Sequence, residues 1–135
     1  MINKKLLDLE KIINVKFNNR DLLRRSLIHK SYNNETNNEK LEFLGDRVLG
    51  LVLSKALILI YTNEKEGVID KKFSNLVNKK ICAKIASEIN LKKFMIVGES
   101  NKKTASFNEK IISDGLEAII GAIFLDKDLV VAEKF

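Results

Sequence analysis

Apolar residues recur at helical spacing along nearly the whole chain, and no segment alternates in the manner of a half-buried strand. Leu6, Leu7, Leu9, Ile12 and Ile13 outline a first helix. Asn18 or Asn19 stands where a cap would start a second, carrying Leu22, Leu23, Leu27 and Ile28. The polar run Asn33-Asn34-Glu35-Thr36-Asn37-Asn38 predicts a loop whose last asparagine caps a long helix from about Glu39 to Tyr61. Asn63 to Gly67 interrupts the period. Phe73, Leu76, Val77, Ile81, Ile85 and Ile89 then fall on one side of another long helix, spanning roughly Asp70 to Ile89. Residues 97–108, rich in Lys, Ser and Asn, predict a loop. Helices follow from about Lys110 to Leu125 and again from near Leu129, the last one cut short at Phe135. The expected fold class is all-α, a multi-helix bundle.

Composition narrows this picture only slightly. A length of 135 residues fits one domain, 45% hydrophobic residues supply a core, and the absence of proline leaves no linker to mark a boundary. The 24 basic residues against 18 acidic ones give a net charge of +6, which permits a polyanionic partner without requiring one. Cys82 is the only cysteine, so no intrachain disulfide can form and a reducing, cytoplasmic setting is expected. The first residues lead into charged positions and not into an apolar signal core. The apolar stretch Val48 to Tyr61 is interrupted by Ser54 and Lys55 and is shorter than the roughly 20 residues of a membrane span. No membrane partner is expected.

Two places break the rules of a purely structural helix. Glu39, Glu42 and Asp46 lie three and four residues apart, stacking like charges along one helical face, with Gly45 in mid-helix beside them. In Asp114-Gly115-Leu116-Glu117 two more acids lie three apart, again beside a glycine, and the apolar run Ala118 to Ile123 marks that helix as buried. Either group alone reads more readily as a solvated face with salt-bridge partners. If the two helices pack through their glycines, Glu42, Asp46, Asp114 and Glu117 form an all-oxygen cluster suited to Mg²⁺, with Mn²⁺ as a substitute. Such ions hold phosphates and activate water.

The run Glu39-Lys40-Leu41-Glu42-Phe43-Leu44-Gly45-Asp46-Arg47-Val48-Leu49 resembles the signature motif of the ribonuclease III family. Ser26-Leu27-Ile28-His29-Lys30-Ser31-Tyr32 is similar to the family's approach to that motif. Gly98-Glu99-Ser100 and the stretch from Ile112 to Ala122 are similar to its later blocks. The resemblance spans essentially the whole chain. It implies a catalytic endonuclease domain over residues 1–135, dimeric, without the double-stranded-RNA-binding domain that usually follows in the family. It implies metal ligands at Glu42, Asp46, Asp114 and Glu117, with Asp46 and Glu117 catalytic, and accessory acids at Glu39 and Glu66. The implied reaction is metal-dependent hydrolysis of double-stranded RNA, in the processing of structured precursors such as ribosomal RNA, leaving 5′-phosphate and 3′-hydroxyl ends. Phe43 and Leu44 would include dimer contacts, though plain core packing explains them equally well.

Lys71, Lys72, Lys79, Lys80, Lys102 and Lys103 are the candidate phosphate contacts, each also readable as a solvating surface charge. His29 is a conceivable general base, but its block reads as structural. Two rivals stay open: a non-catalytic RNA-binding dimer with the same fold, and an unrelated helical interaction protein whose acids merely face water.

Overall fold

A computed structural model describes residues 2–98 and 109–128. In chain order it contains α1 (Ile2–Ile13), α2 (Arg20–Ser26), α3 (Glu39–Ile60), α4 (Glu66–Leu76), α5 (Lys79–Glu88), a 3-10 turn (Leu91–Lys93) and α6 (Glu109–Asp126). Extended pairing among the described residues is a single isolated parallel bridge between Ile28 and Ile96. The all-α expectation holds. The loop expected over 97–108 lies, past Gly98, outside the described residues, as does the short helix expected from Leu129.

Helix α6 is the axis of the fold, buried at every position from Ser113 to Ile123. A helix covered on all sides needs apolar residues around its whole circumference, which the run Ala118 to Ile123 supplies. Leu9 of α1, Leu23 of α2, Leu91 at the start of the 3-10 turn, and Ile119 and Ile123 of α6 itself meet in the core. Helix α3 crosses α6 with almost no space between the backbones. A Cβ at Gly45 would overlap the Glu117 carbonyl oxygen, and one at Gly121 would overlap that of Leu41. Glycine is required at both positions by this approach.

The partner of Gly45 therefore differs from the sequence expectation. Gly115 does not meet α3; a Cβ there would stand 2.7 Å from the Met95 sulfur. Six residues of helix separate Gly115 from Gly121, which turns them to different faces, so only one of them can meet α3.

The long helix expected from Asp70 to Ile89 is two helices. Asn78 divides them: its amide donates to the Asn75 carbonyl at 2.7 Å, and its side-chain oxygen accepts from Ile81 N at 2.9 Å. One asparagine closes α4 and caps α5. Asn19 caps α2 as expected, accepting from Asp21 N at 3.1 Å. Asn38 does not cap α3 with its side chain. Asn37 takes that role, accepting from Glu39 N at 3.0 Å, while Asn38 donates its amide to the Ser26 carbonyl at 3.0 Å. Asp126, at the end of α6, accepts from Asn18 N and Asn19 N at 2.7 and 2.8 Å and ties the two helices together. Among the described residues no helix is long and apolar enough to cross a membrane.

Candidate active site

Helix α3 presents Glu39, Glu42 and Asp46 at intervals of three and four residues, so they share a face. That face lies over the crossing with α6. There Glu39, Glu42 and Asp46 meet Glu117, and together with Phe43 and Arg47 they line one shallow depression. The glycine contact is what permits this. Gly45 rests against the backbone of Glu117 itself, so its carboxylate emerges directly beside the acid stripe of α3. Glu39 and Glu42 also sit in the first turn of α3, where the helix dipole favours negative charge.

Asp114, one turn before Glu117 on α6, is not among the residues lining the depression. Both are nine-tenths buried or more, each only 5% exposed. Buried carboxylates require compensation. Lys110 supplies it for Asp114, at 2.9 Å from one turn earlier on the same helix, and Arg47 lies 2.7 Å from Asp46. Arg47 in turn stacks over the Phe43 ring, 4.4 Å from its centroid. Neither Arg47 nor Lys110 stands out in the sequence as a partner of the acids. The spacings 43/47 and 110/114 are the signals that identify these partners.

With those pairs made, no three acids among the described residues stand close enough to grip an ion as they are placed. The donor chemistry nevertheless fits a hard cation. Every donor is a carboxylate oxygen, two of the acids are buried, and four acids line the depression on a rigid two-helix base.

His29 stands at the edge of this region. Burial lowers its pKa below 6.5, assisted by Lys30 and Lys110 and opposed by Asp114 and Glu39. Glu66 opens α4, exposed to solvent and outside the depression. Lys71 and Lys80 are exposed, and Lys72 lies over the Tyr61 ring, 4.3 Å from its centroid. The Lys79 side chain and all of Lys102 and Lys103 lie outside the described residues. Phe43 is 62% exposed, whereas Leu44 packs against the core. Cys82 is buried, in keeping with a packed thiol.

A sequence profile of the family described as ribonuclease-III-like matches residues 19–135. The chain belongs to the ribonuclease III family. Among relatives in that family, Ribonuclease 3 of Pelagibacter ubique is 51% identical over 127 residues, covering 94% of this chain and 57% of that protein. Ribonuclease 3 of Borreliella afzelii is 40% identical over 129 residues, covering 91% of this chain and 53% of that protein. The chain thus spans little more than half the length of these ribonuclease III relatives. A solved nuclease domain of ribonuclease III from Campylobacter jejuni superposes with a TM-score of 0.91 at 39% identity, covering 93% of this chain and 89% of that one. That domain is described as structurally flexible in a region involved in dimer formation.

Proposed function

We propose that this chain is the nuclease domain of a double-stranded-RNA-specific endoribonuclease that works as a homodimer with a divalent cation. The observation that carries the reading is the meeting of Glu39, Glu42, Asp46 and Glu117 over the glycine crossing of α3 and α6. Glu42, Asp46, Asp114 and Glu117 would hold Mg²⁺, for which Mn²⁺ substitutes; when bound, the ion neutralises phosphate charge and lowers the pKa of water. An ion there competes with Arg47 for Asp46 and with Lys110 for Asp114. The guanidinium of Arg47, released at the rim, is then available to a phosphate oxygen of the RNA strand. Glu117 is the most rigidly placed of the acids, since its own peptide rests on Gly45, and rigid placement is what an in-line attack needs. The overall reaction adds water at phosphorus and expels the 3′-oxygen, giving 5′-phosphate and 3′-hydroxyl ends.

Substrate and assembly follow from the surface. Lys71, Lys72 and Lys80 supply positive charge along α4 and α5 for an A-form duplex, which is recognised by shape and phosphates. Phe43, Leu51, Ile58 and Leu59 are large apolar residues exposed along α3, and an apolar cavity lined by Val48, Val52, Leu76 and Ile85 lies where α3, α4 and α5 come together. Burying this surface against its own copy supports a two-fold dimer in which each partner presents the same face.

The test uses labelled duplex RNA with Mg²⁺. The expected result is endonucleolytic cutting that EDTA abolishes and that Glu117→Gln reduces to background, with the variant still folded and dimeric by circular dichroism and sedimentation. Cutting in EDTA, or full-rate cutting by Glu117→Gln, would overturn the assignment.

A further inference from the structure

The chain leaving α2 and the chain leading towards α6 run side by side as a short parallel ladder. Ile96 N donates to the Leu27 carbonyl at 2.8 Å, and His29 N donates to the Ile96 carbonyl at 2.9 Å. The next rung of such a ladder would join Gly98 N to the His29 carbonyl. That carbonyl is already engaged, because the chain turns and Tyr32 N and Asn33 N approach it at 3.0 and 3.4 Å. The Ser31 hydroxyl substitutes for it, accepting from Gly98 N at 3.0 Å. A Cβ at position 98 would come within 2.5 Å of the Ser31 carbonyl oxygen, so glycine is needed for the approach.

The imidazole of His29 holds that hydroxyl in place. Its Nδ1 stands 2.7 Å from Ser31 Oγ and accepts from Ser31 N at 3.1 Å. A ring nitrogen that accepts a backbone N–H carries no proton of its own, so the neutral ring keeps its proton on Nε2. The same stretch of chain also anchors the start of α3. Asn38 N donates to the Ile28 carbonyl at 2.9 Å, the Asn38 side chain donates to Ser26 O, and the Asn38 carbonyl accepts from Glu42 N at 2.8 Å. Residues 26–31 thereby secure the turn that carries Glu39 and Glu42 and, through Ile96 and Gly98, the stretch whose Met95 packs against Gly115 of α6, beside Asp114.

We propose that His29 is a positioning residue for the nuclease site, latching Gly98 through the Ser31 hydroxyl and so registering the two acid-bearing helices against each other. The catalytic consequence rests on the nuclease reading; the latch itself does not. The burial that lowers the His29 pKa keeps the ring in the neutral form the latch uses, with Lys30 and Lys110 acting in the same sense and Asp114 and Glu39 against it.

The experiment measures two quantities on the full chain: amide exchange at Gly98 without metal, and duplex cleavage with Mg²⁺. His29→Ala and Ser31→Ala should each speed Gly98 exchange on the order of tenfold, the loss of about one hydrogen bond. Both should lower kcat by about the same factor with KM for the duplex unchanged, as for lost alignment and not lost binding. His29→Asn should restore both quantities, because an asparagine oxygen accepts the N–H two residues on. Ser31→Ala removes only a hydroxyl and keeps the test readable should His29→Ala unfold. Wild-type Gly98 exchanging as fast as in Ser31→Ala would overturn the latch, and unchanged kcat in both alanine variants would overturn its positioning role. If the wild-type chain cut no duplex at all, the nuclease reading would fail. In that event Gly98 exchange would still judge the latch, and movement of the Asp114 and Glu117 amide resonances in Ser31→Ala would judge the positioning.

Discussion

Asp46 and Asp114 handle the same electrostatic problem in the same way, each taking a cation from its own helix: Arg47 beside Asp46 and Lys110 one turn before Asp114. A buried or half-buried carboxylate in a dense acidic region is stable only while a positive group stands beside it. His29 has the opposite requirement. Its folded pKa lies below the ordinary 6.5, so the unfolded chain takes up this proton first as the solution is acidified. The contribution of neutral His29 to stability is therefore complete above pH 6.5 and is lost as pH falls through the folded value. Urea denaturation of wild type and His29→Asn across pH 5 to 8 should show a steeper acid-side loss in the wild type; parallel curves would remove His29 from this role. The acid spacing could be read from the sequence, but spacing alone did not separate a site from a solvated face; the two glycine-bearing motifs and the family resemblance singled these acids out. Their partners were not picked out: Arg47 is the immediate neighbour of Asp46 and not on its stripe, and Lys110 stands at the very start of the expected helix.

Elements meet here through backbone where most helices meet through side chains. Adding one methyl at Gly121 would drive it into the Leu41 carbonyl, which cannot move without shifting α3. Gly121→Ala should cost about 3 kcal/mol, the upper end for an overpacked core, measurable as a lowered denaturation midpoint. It should also lose cleavage at temperatures where the variant stays folded. An unchanged midpoint would mean that the helices are not in contact as described. The sequence pointed to the glycines beside the acids, Gly45 and Gly115, and missed that Gly121 answers Gly45, since periodicity gives each helix a phase of its own and no relative rotation. The division of α4 from α5 was likewise hidden. Val77 continues the apolar period, and the sole sign of a break is Asn78, one asparagine among many. Asn78→Ala should destabilise the protein by about 1 kcal/mol through loss of the cap, read by thermal denaturation. No effect would mean that the cap contributes little beyond the turn itself.

For the whole molecule, the large apolar residues on α3 are the feature that a single copy leaves without cover. Phe43 is both exposed and stacked under Arg47, so it stands between the acid depression and that surface. Phe43→Glu should convert the proposed dimer to a monomer in sedimentation at micromolar concentration. Cleavage by the proposed homodimeric nuclease should fall with it. A variant that stays dimeric would place the interface elsewhere on the surface. The helical class and single-layer burial around α6 could be read in advance from the apolar run Ala118 to Ile123. The resemblance implied a dimer, but the periodic pattern could not show which face would form it, because an apolar residue facing solvent and one facing the core have the same signature there.

Because α3 and α6 touch peptide to peptide, the separation of their acidic side chains is a property of two missing methyl groups and not of the aliphatic residues around them. Exchanges among Leu, Ile and Val elsewhere in the interior can accumulate, altering melting behaviour, while the gap between the helices keeps its width.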